Sequence, residues 1–193
     1  IGKDADYSEV GQYSVAMKMI EALGFLPVII QKSLAPAITR ARMEDKLKYQ
    51  DRLLNQYRLM FLLFLITSIP LYFLAEPVIV LLYGEPYRTA GALLALFAIR
   101  LFFTNMGVAK SSFITNESLF KYSLSTAVVG ATVNIVLNYF LIPPFKSSGA
   151  IIATIISFFV STFLMDLLFK ETRANLKWMC MGMLSFWKIN RAV

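Results

Sequence analysis

Four charged side chains stand inside otherwise apolar stretches, Lys18, Glu21, Lys32 and Arg100, and two amides, Asn134 and Asn138, lie one helical turn apart in another. In hydrocarbon such a charge costs roughly 2.5–3.5 kcal/mol even on the lenient insertion scale, so its position calls for a partner or a task. A cationic set with Asn, Ser and Thr companions suits an anionic, sugar-bearing or polar-headed solute. Structural readings stand beside this one. Lys18 and Glu21 are spaced for a one-turn ion pair, and Lys32 is near enough to a span end to snorkel. Asn134 and Asn138, with Gly130 on the Asn134 side, could hydrogen-bond a neighbouring helix instead of a ligand hydroxyl.

Catalysis has little to work with. There is no His and a single Cys, which excludes tetrahedral zinc sites, imidazole acid–base chemistry and a disulfide framework. Cys180 reads as an incidental apolar residue. No carboxylates are paired at a spacing suited to acid–base work. Gly107-Val108-Ala109-Lys110-Ser111 ends like a phosphate loop but lacks its glycine spacing. No enzymatic activity, metal or cofactor is expected.

The elements that position these residues follow from composition. Apolar residues make up 58% of the chain and charged ones 16%, too few to cover several long apolar helices in water. Uncharged runs of spanning length cover 59–83 (apart from Glu76), 89–109 (apart from Arg100), 122–143 and 148–169 (apart from Asp166). A fifth, at 10–38, carries Lys18, Glu21 and Lys32. At 100° per residue Glu21 lies roughly 60° and Lys32 roughly 40° from Lys18, which makes one polar stripe. The stripe admits an interfacial helix, but a spanning helix with that face toward protein or a water-filled cavity is the preferred reading. Pro27 should kink it and Pro36 bend it again. Asp166 is read as a span terminator, and Asn116-Glu117-Ser118 as a chance glycosylation motif.

An all-α integral membrane protein with five transmembrane helices is therefore expected: an outer segment at 1–9, a membrane domain at 10–170 and a basic cytoplasmic tail at 171–193. Thirteen basic residues fall in the 40–58 and 110–121 connections and the tail, Lys110 among them, against three on the other side (Lys3, Arg88 and Lys146). The positive-inside rule then puts the N-terminus outside and the C-terminus in the cytoplasm. Topology accounts for the net charge of +7, so no nucleic-acid partner is needed. The 43–58 connection repeats Leu47, Leu54 and Phe61 every seven residues and should continue its flanking helices or lie on the membrane surface. Gly149, Ala153, Ser157 and Ser161 recur every fourth residue, a spacing that permits close helix approach. The opening at Ile1, with no signal peptide, reads as a truncation.

Three stretches carry a family resemblance: EVGQYSVAMKMIEALGFLPVIIQKSLAPAI at 9–38, LAEPVIVLLYGEPYRTAGALLALFAI at 74–99 and GATVNIVLNYFLIPPFKSSGAIIATIIS at 130–157. In order, they resemble the C-terminal half of bacterial polysaccharide flippases, the Wzx-type transporters of O-antigen or capsule repeat units, in the superfamily of the multidrug and toxic-compound exporters. That resemblance implies a partial C-terminal lobe, about helices 8 to 12 of a twelve-helix fold with two pseudo-symmetric lobes around a cationic cavity. It also implies flipping of undecaprenyl-diphosphate-linked oligosaccharides across the bacterial inner membrane by alternating access. The implied partners are the lipid-linked oligosaccharide, membrane lipids, a coupling proton or sodium ion, and a missing N-terminal lobe. Lys18 and Lys32, with Arg100 as a candidate, would face the cavity. Pro144-Phe145-Lys146-Ser147 departs from the family, where a Gly-containing turn is common.

Other readings differ in what they require. A cation-coupled multidrug exporter of the same superfamily should show embedded acids, and only Glu21 qualifies. A membrane glycosyltransferase or polymerase needs a sizeable outer loop, and the outer connections are short. A non-transporting remnant or accessory protein would fit a lone partial lobe.

Overall fold

Prolines and glycines punctuate the apolar runs, and helices form between them. In the computed structural model, which describes residues 7–189, α1 spans Tyr7–Leu23 and α2 Phe25–Glu44. A proline cannot bond the carbonyl four residues back and its ring crowds that carbonyl, which for Pro27 belongs to Leu23. The break accordingly falls at Gly24, one turn before Pro27, and Pro27 occupies the first turn of α2. Pro36, expected to mark a second bend, lies inside an unbroken helix.

The 43–58 connection is helical apart from Asp45, which caps α3 (Lys46–Tyr83) by accepting from the Leu47 amide at 2.8 Å. At 38 residues α3 is about 57 Å long, so it extends well beyond a hydrocarbon core. Its buried face near the start is Tyr49, Leu53, Tyr57 and Met60, a helical stripe. The seven-residue repeat does not describe that face, since Leu47 is exposed. At the far end Gly84 closes α3 with φ +85°, a conformation that needs glycine.

Helix α4 (Arg88–Asn116) packs along α3, and their backbones nearly touch where a Cβ on Gly91 would lie 2.6 Å from Glu76 Cα. Helix α5 (Phe120–Phe159) doubles back at Lys146, whose φ of 50° and ψ of −127° leave helical space. Pro143 and Pro144 precede this turn. Its two halves run antiparallel, with Gly149 against the Leu141 carbonyl and Gly130 against Ser161. The small-residue series at 149–161 is what allows this approach. A π turn at Val160–Leu164 leads into α6 (Met165–Leu168), and α7 (Arg173–Leu184) follows a short 3-10 turn.

Among the described residues four stretches are long and apolar enough to cross a membrane, Tyr7–Glu44, Lys46–Tyr83, Glu85–Asn116 and Phe120–Leu168. The last, folded on itself, supplies two segments, and the all-α chain thus has about five of transmembrane length. Large apolar side chains such as Phe73, Leu81, Ile135 and Tyr139 are exposed around them, as lipid contact requires. Within the segment expected as a basic tail, α7 packs on the bundle, with Gly182 set against Tyr57 of α3.

Two side chains of α1 gather the turns at one end of the bundle. Gln12 donates to the Pro86 carbonyl at 2.6 Å and accepts from the Ala90 amide at 2.9 Å. Glu9 accepts from the Ser147 amide at 3.0 Å and sits 3.5 Å from Lys146 Nζ. At the other end Arg42 grips Glu117 through two bonds of 2.8 and 3.1 Å.

Two stability effects follow. Gly91→Ala should cost about 1–3 kcal/mol by forcing α3 from α4, seen as a lower melting temperature in detergent. Lys146→Gly should stabilise by about 1 kcal/mol, because relief of backbone strain outweighs an exposed ion pair. A lower melting temperature for this variant would count against a strained turn.

Candidate functional site

One face of α4 carries Arg100, Thr104, Gly107 and Ser111, spaced at one residue per turn. Three adjoining cavities run along it. The first, about 380 Å³, is bounded by Glu21, Gly24, Val28, Arg100 and Thr104. The second, about 470 Å³, shares Val28, Arg100 and Thr104 and adds Gln31, Ser111 and Ser161. The third, about 490 Å³, shares Gly107, Phe158 and Ser161 with the second and adds Lys110, Asn134 and Thr154. Together they form a groove between α1–α2, α4 and α5. The groove is open at Gly107, where a Cβ would meet nothing within 4 Å.

Arg100 is the charge at its centre. The guanidinium lies 5.4 Å from the Phe158 ring centroid and 5.9 Å from that of Phe97, and it donates to Met17 Sδ at 3.3 Å. Among the described residues no carboxylate comes within 4.0 Å of it. Aromatic faces and a thioether orient a cation without neutralising it, which leaves its charge available to an anion.

The other expected residues divide. Glu21 shares the first cavity with Arg100. Lys18 and Glu21 are exposed and do not form the one-turn ion pair. Lys32 is exposed on α2, and neither lysine borders these three cavities. Asn134 borders the groove and also spans the two halves of α5, 3.4 Å from both Thr154 Oγ1 and Ser157 Oγ. Asn138 donates to Asn134 Oδ1 at 2.9 Å, while its own Oδ1 is buried without a partner. Burial pushes the Cys180 thiol up, away from the thiolate a nucleophile needs.

The feature that sequence reasoning missed is a buried ion pair. Lys110, counted there among the loop charges, lies within α4 and is 2.6 Å from Asp166, their side chains 5% and 0% exposed. It also donates to Tyr122 Oη at 3.0 Å and to the carbonyls of Thr162 at 3.1 Å and Ser161 at 3.3 Å, inside the π turn. Asp166 accepts from the Tyr122 hydroxyl and, at 3.0 Å, from Asn175 Nδ2; Tyr57 donates to Asn175 Oδ1 at 2.5 Å. Thr172 Oγ1 closes the network on the Asp166 carbonyl at 3.2 Å. Asp166 is thus no mere span terminator. Its isolation as the lone acid of the last apolar run was the available signal, because such an acid needs a cation at its own depth. What hid the partner was the assumption that α4 ends at 109.

The chain matches the family described as the lipid II flippase MurJ over residues 11–188, and it belongs to that family. No curated protein and no solved structure matches it. The family lies in the superfamily of lipid-linked oligosaccharide flippases toward which the three sequence stretches point, and its members are transporters rather than enzymes. The chain is accordingly a multi-pass membrane protein with the general function of a lipid-linked oligosaccharide flippase.

Removing one partner of the buried pair should be severe. Asp166→Asn or Lys110→Met is expected to destabilise by about 3–5 kcal/mol, since the other charge is left uncompensated. Lys110→Met with Asp166→Asn should cost less than the sum of the two single changes. Additive losses in a double-mutant cycle would show that the pair is not coupled.

Proposed function

Starting from membership in the lipid II flippase family, we propose that the groove beside Arg100 is one wall of the path by which the headgroup of a polyprenyl-diphosphate-linked saccharide crosses the bilayer. The observation that carries this reading is an arginine held by aromatic rings, with no carboxylate within 4.0 Å among the described residues, beside hydroxyl and amide groups able to bond a sugar. A diphosphate offers the oxygen geometry that a guanidinium binds through paired donors. Asn134, Thr104, Ser111 and Gln31 supply neutral hydrogen bonds along the way.

The exposed Lys18, Glu21 and Lys32 fit a path completed by a second lobe, which their side chains would face across the solute. In this arrangement the end bearing Arg42, Lys46 and Lys48 is cytoplasmic and the Gly84 and Lys146 turns are outside. The family match favours lipid II as the substrate over an O-antigen or capsule repeat unit. It also favours either glycan over the drug-like cations of the multidrug exporters.

In cells depleted of their own lipid II flippase, a transporter carrying this segment should restore growth. Arg100→Ala should lower flipping by roughly tenfold or more, and Arg100→Lys should recover part of the loss. Full flipping by Arg100→Ala, with the protein confirmed in the membrane, would refute the groove assignment. Rescue of a repeat-unit flippase mutant alone would move the substrate to O-antigen or capsule units.

A further inference from the structure

A second cavity, separate from the groove, opens at the basic end of the bundle. It encloses about 400 Å³ where the end of α2, the start of α3, the α4–α5 connection and α7 meet. Two cations and two acids surround it, Arg42, Lys46, Glu117 and Glu171, with Phe113 and Trp178 as aromatic walls. Arg42 is committed to Glu117 in the bidentate pair, whereas Lys46 and Glu171 are exposed and engage no ion partner among the described residues. Tyr49 also borders the cavity. It is only 3% exposed, and its hydroxyl is buried beside the Glu117 carboxylate with no partner within 3.5 Å. An orphaned buried hydroxyl is uncommon and is satisfied when a ligand oxygen reaches it.

The charge pattern restricts the ligand. A site with equal numbers of bases and acids repels a purely anionic guest as much as it attracts it. It fits one that carries both signs a few ångströms apart. The rim indicates where that guest comes from: Met43, Leu47 and Phe120, each next in sequence to a lining residue, are 83%, 70% and 62% exposed. Large apolar side chains beside a charged pocket, with a tryptophan at the same level, mark a membrane interface.

We propose that this cavity binds the headgroup of a zwitterionic phospholipid with a primary ammonium, that is, an ethanolamine phosphate. The phosphate lies by Lys46 and the outer edge of Arg42 and accepts from Tyr49 Oη. The ammonium lies by Glu171 and the Trp178 face, where a primary amine can both donate hydrogen bonds and meet the ring. This assignment does not depend on which solute the groove carries.

The test is native mass spectrometry of the full chain released from nanodiscs of equal phosphatidylethanolamine, phosphatidylglycerol and phosphatidylcholine. One phosphatidylethanolamine should be retained in preference to the others by roughly tenfold. Lys46→Gln with Glu171→Gln, two exposed positions whose joint change leaves the net charge unaltered, should abolish the preference without lowering the melting temperature. Tyr49→Phe should weaken it. Equal retention of the three lipids, or an undiminished preference in the double variant, would overturn the proposal. Displacement of the lipid by inorganic phosphate alone would also overturn it, by showing a phosphate site with no use for the ammonium.

Discussion

Lys110 and Asp166 are taken out of water together, and much of the basic half of the bundle is arranged around that fact. Each ion loses several kcal/mol of hydration, and Coulomb attraction repays this only if the remaining donors and lone pairs are filled. Filling them recruits Tyr122 from α5, two carbonyls of the π turn, Thr172 from the 3-10 turn, Asn175 from α7 and, through Asn175, Tyr57 from α3. Packing then agrees with polarity, since Met60, Met106, Ala109 and Met179 form an apolar cluster with Tyr57. The interhelix distances tolerated here are those that keep every member of the network satisfied.

That neutralisation also shapes the groove. Lys110 borders its third cavity, yet its charge is cancelled by Asp166. Arg100, by contrast, has no carboxylate within 4.0 Å among the described residues. Two cations on one helix, ten positions apart, thus differ in kind: one is neutralised inside the lobe and the other is not.

The sequence made the architecture legible where a strong physical penalty acted on a single residue. Apolar length revealed the spans, and the small residues from Gly149 to Ser161 revealed a close contact. The irregularity at the α5 turn was also legible, because Pro144-Phe145-Lys146-Ser147 stands where the resembled family commonly has a Gly-containing turn, and Lys146 holds a positive φ. What depended on distant partners was not legible. Pro27 announced a kink, but its site at Gly24 follows from the carbonyl the ring displaces. Lys110 looked like a loop charge because its acid lies 56 positions away and only the fold brings the two together. Among the intramembrane charges, hydropathy picked out Arg100 but could not separate it from Lys18 and Lys32, which do not border these cavities.

The hairpin of α5 bears on how the protein enters the bilayer. Asn134 finds its acceptors on the returning half, at Thr154 and Ser157, and Gly130 and Gly149 each fit against the opposite half. Inserted alone, residues 120–143 would carry two amides into lipid with only each other for company. Held at the translocation channel until residues 147–168 emerge, Asn134 leaves it already bonded to the returning half. The two halves are thus suited to enter the bilayer as one unit, joined at the Lys146 turn.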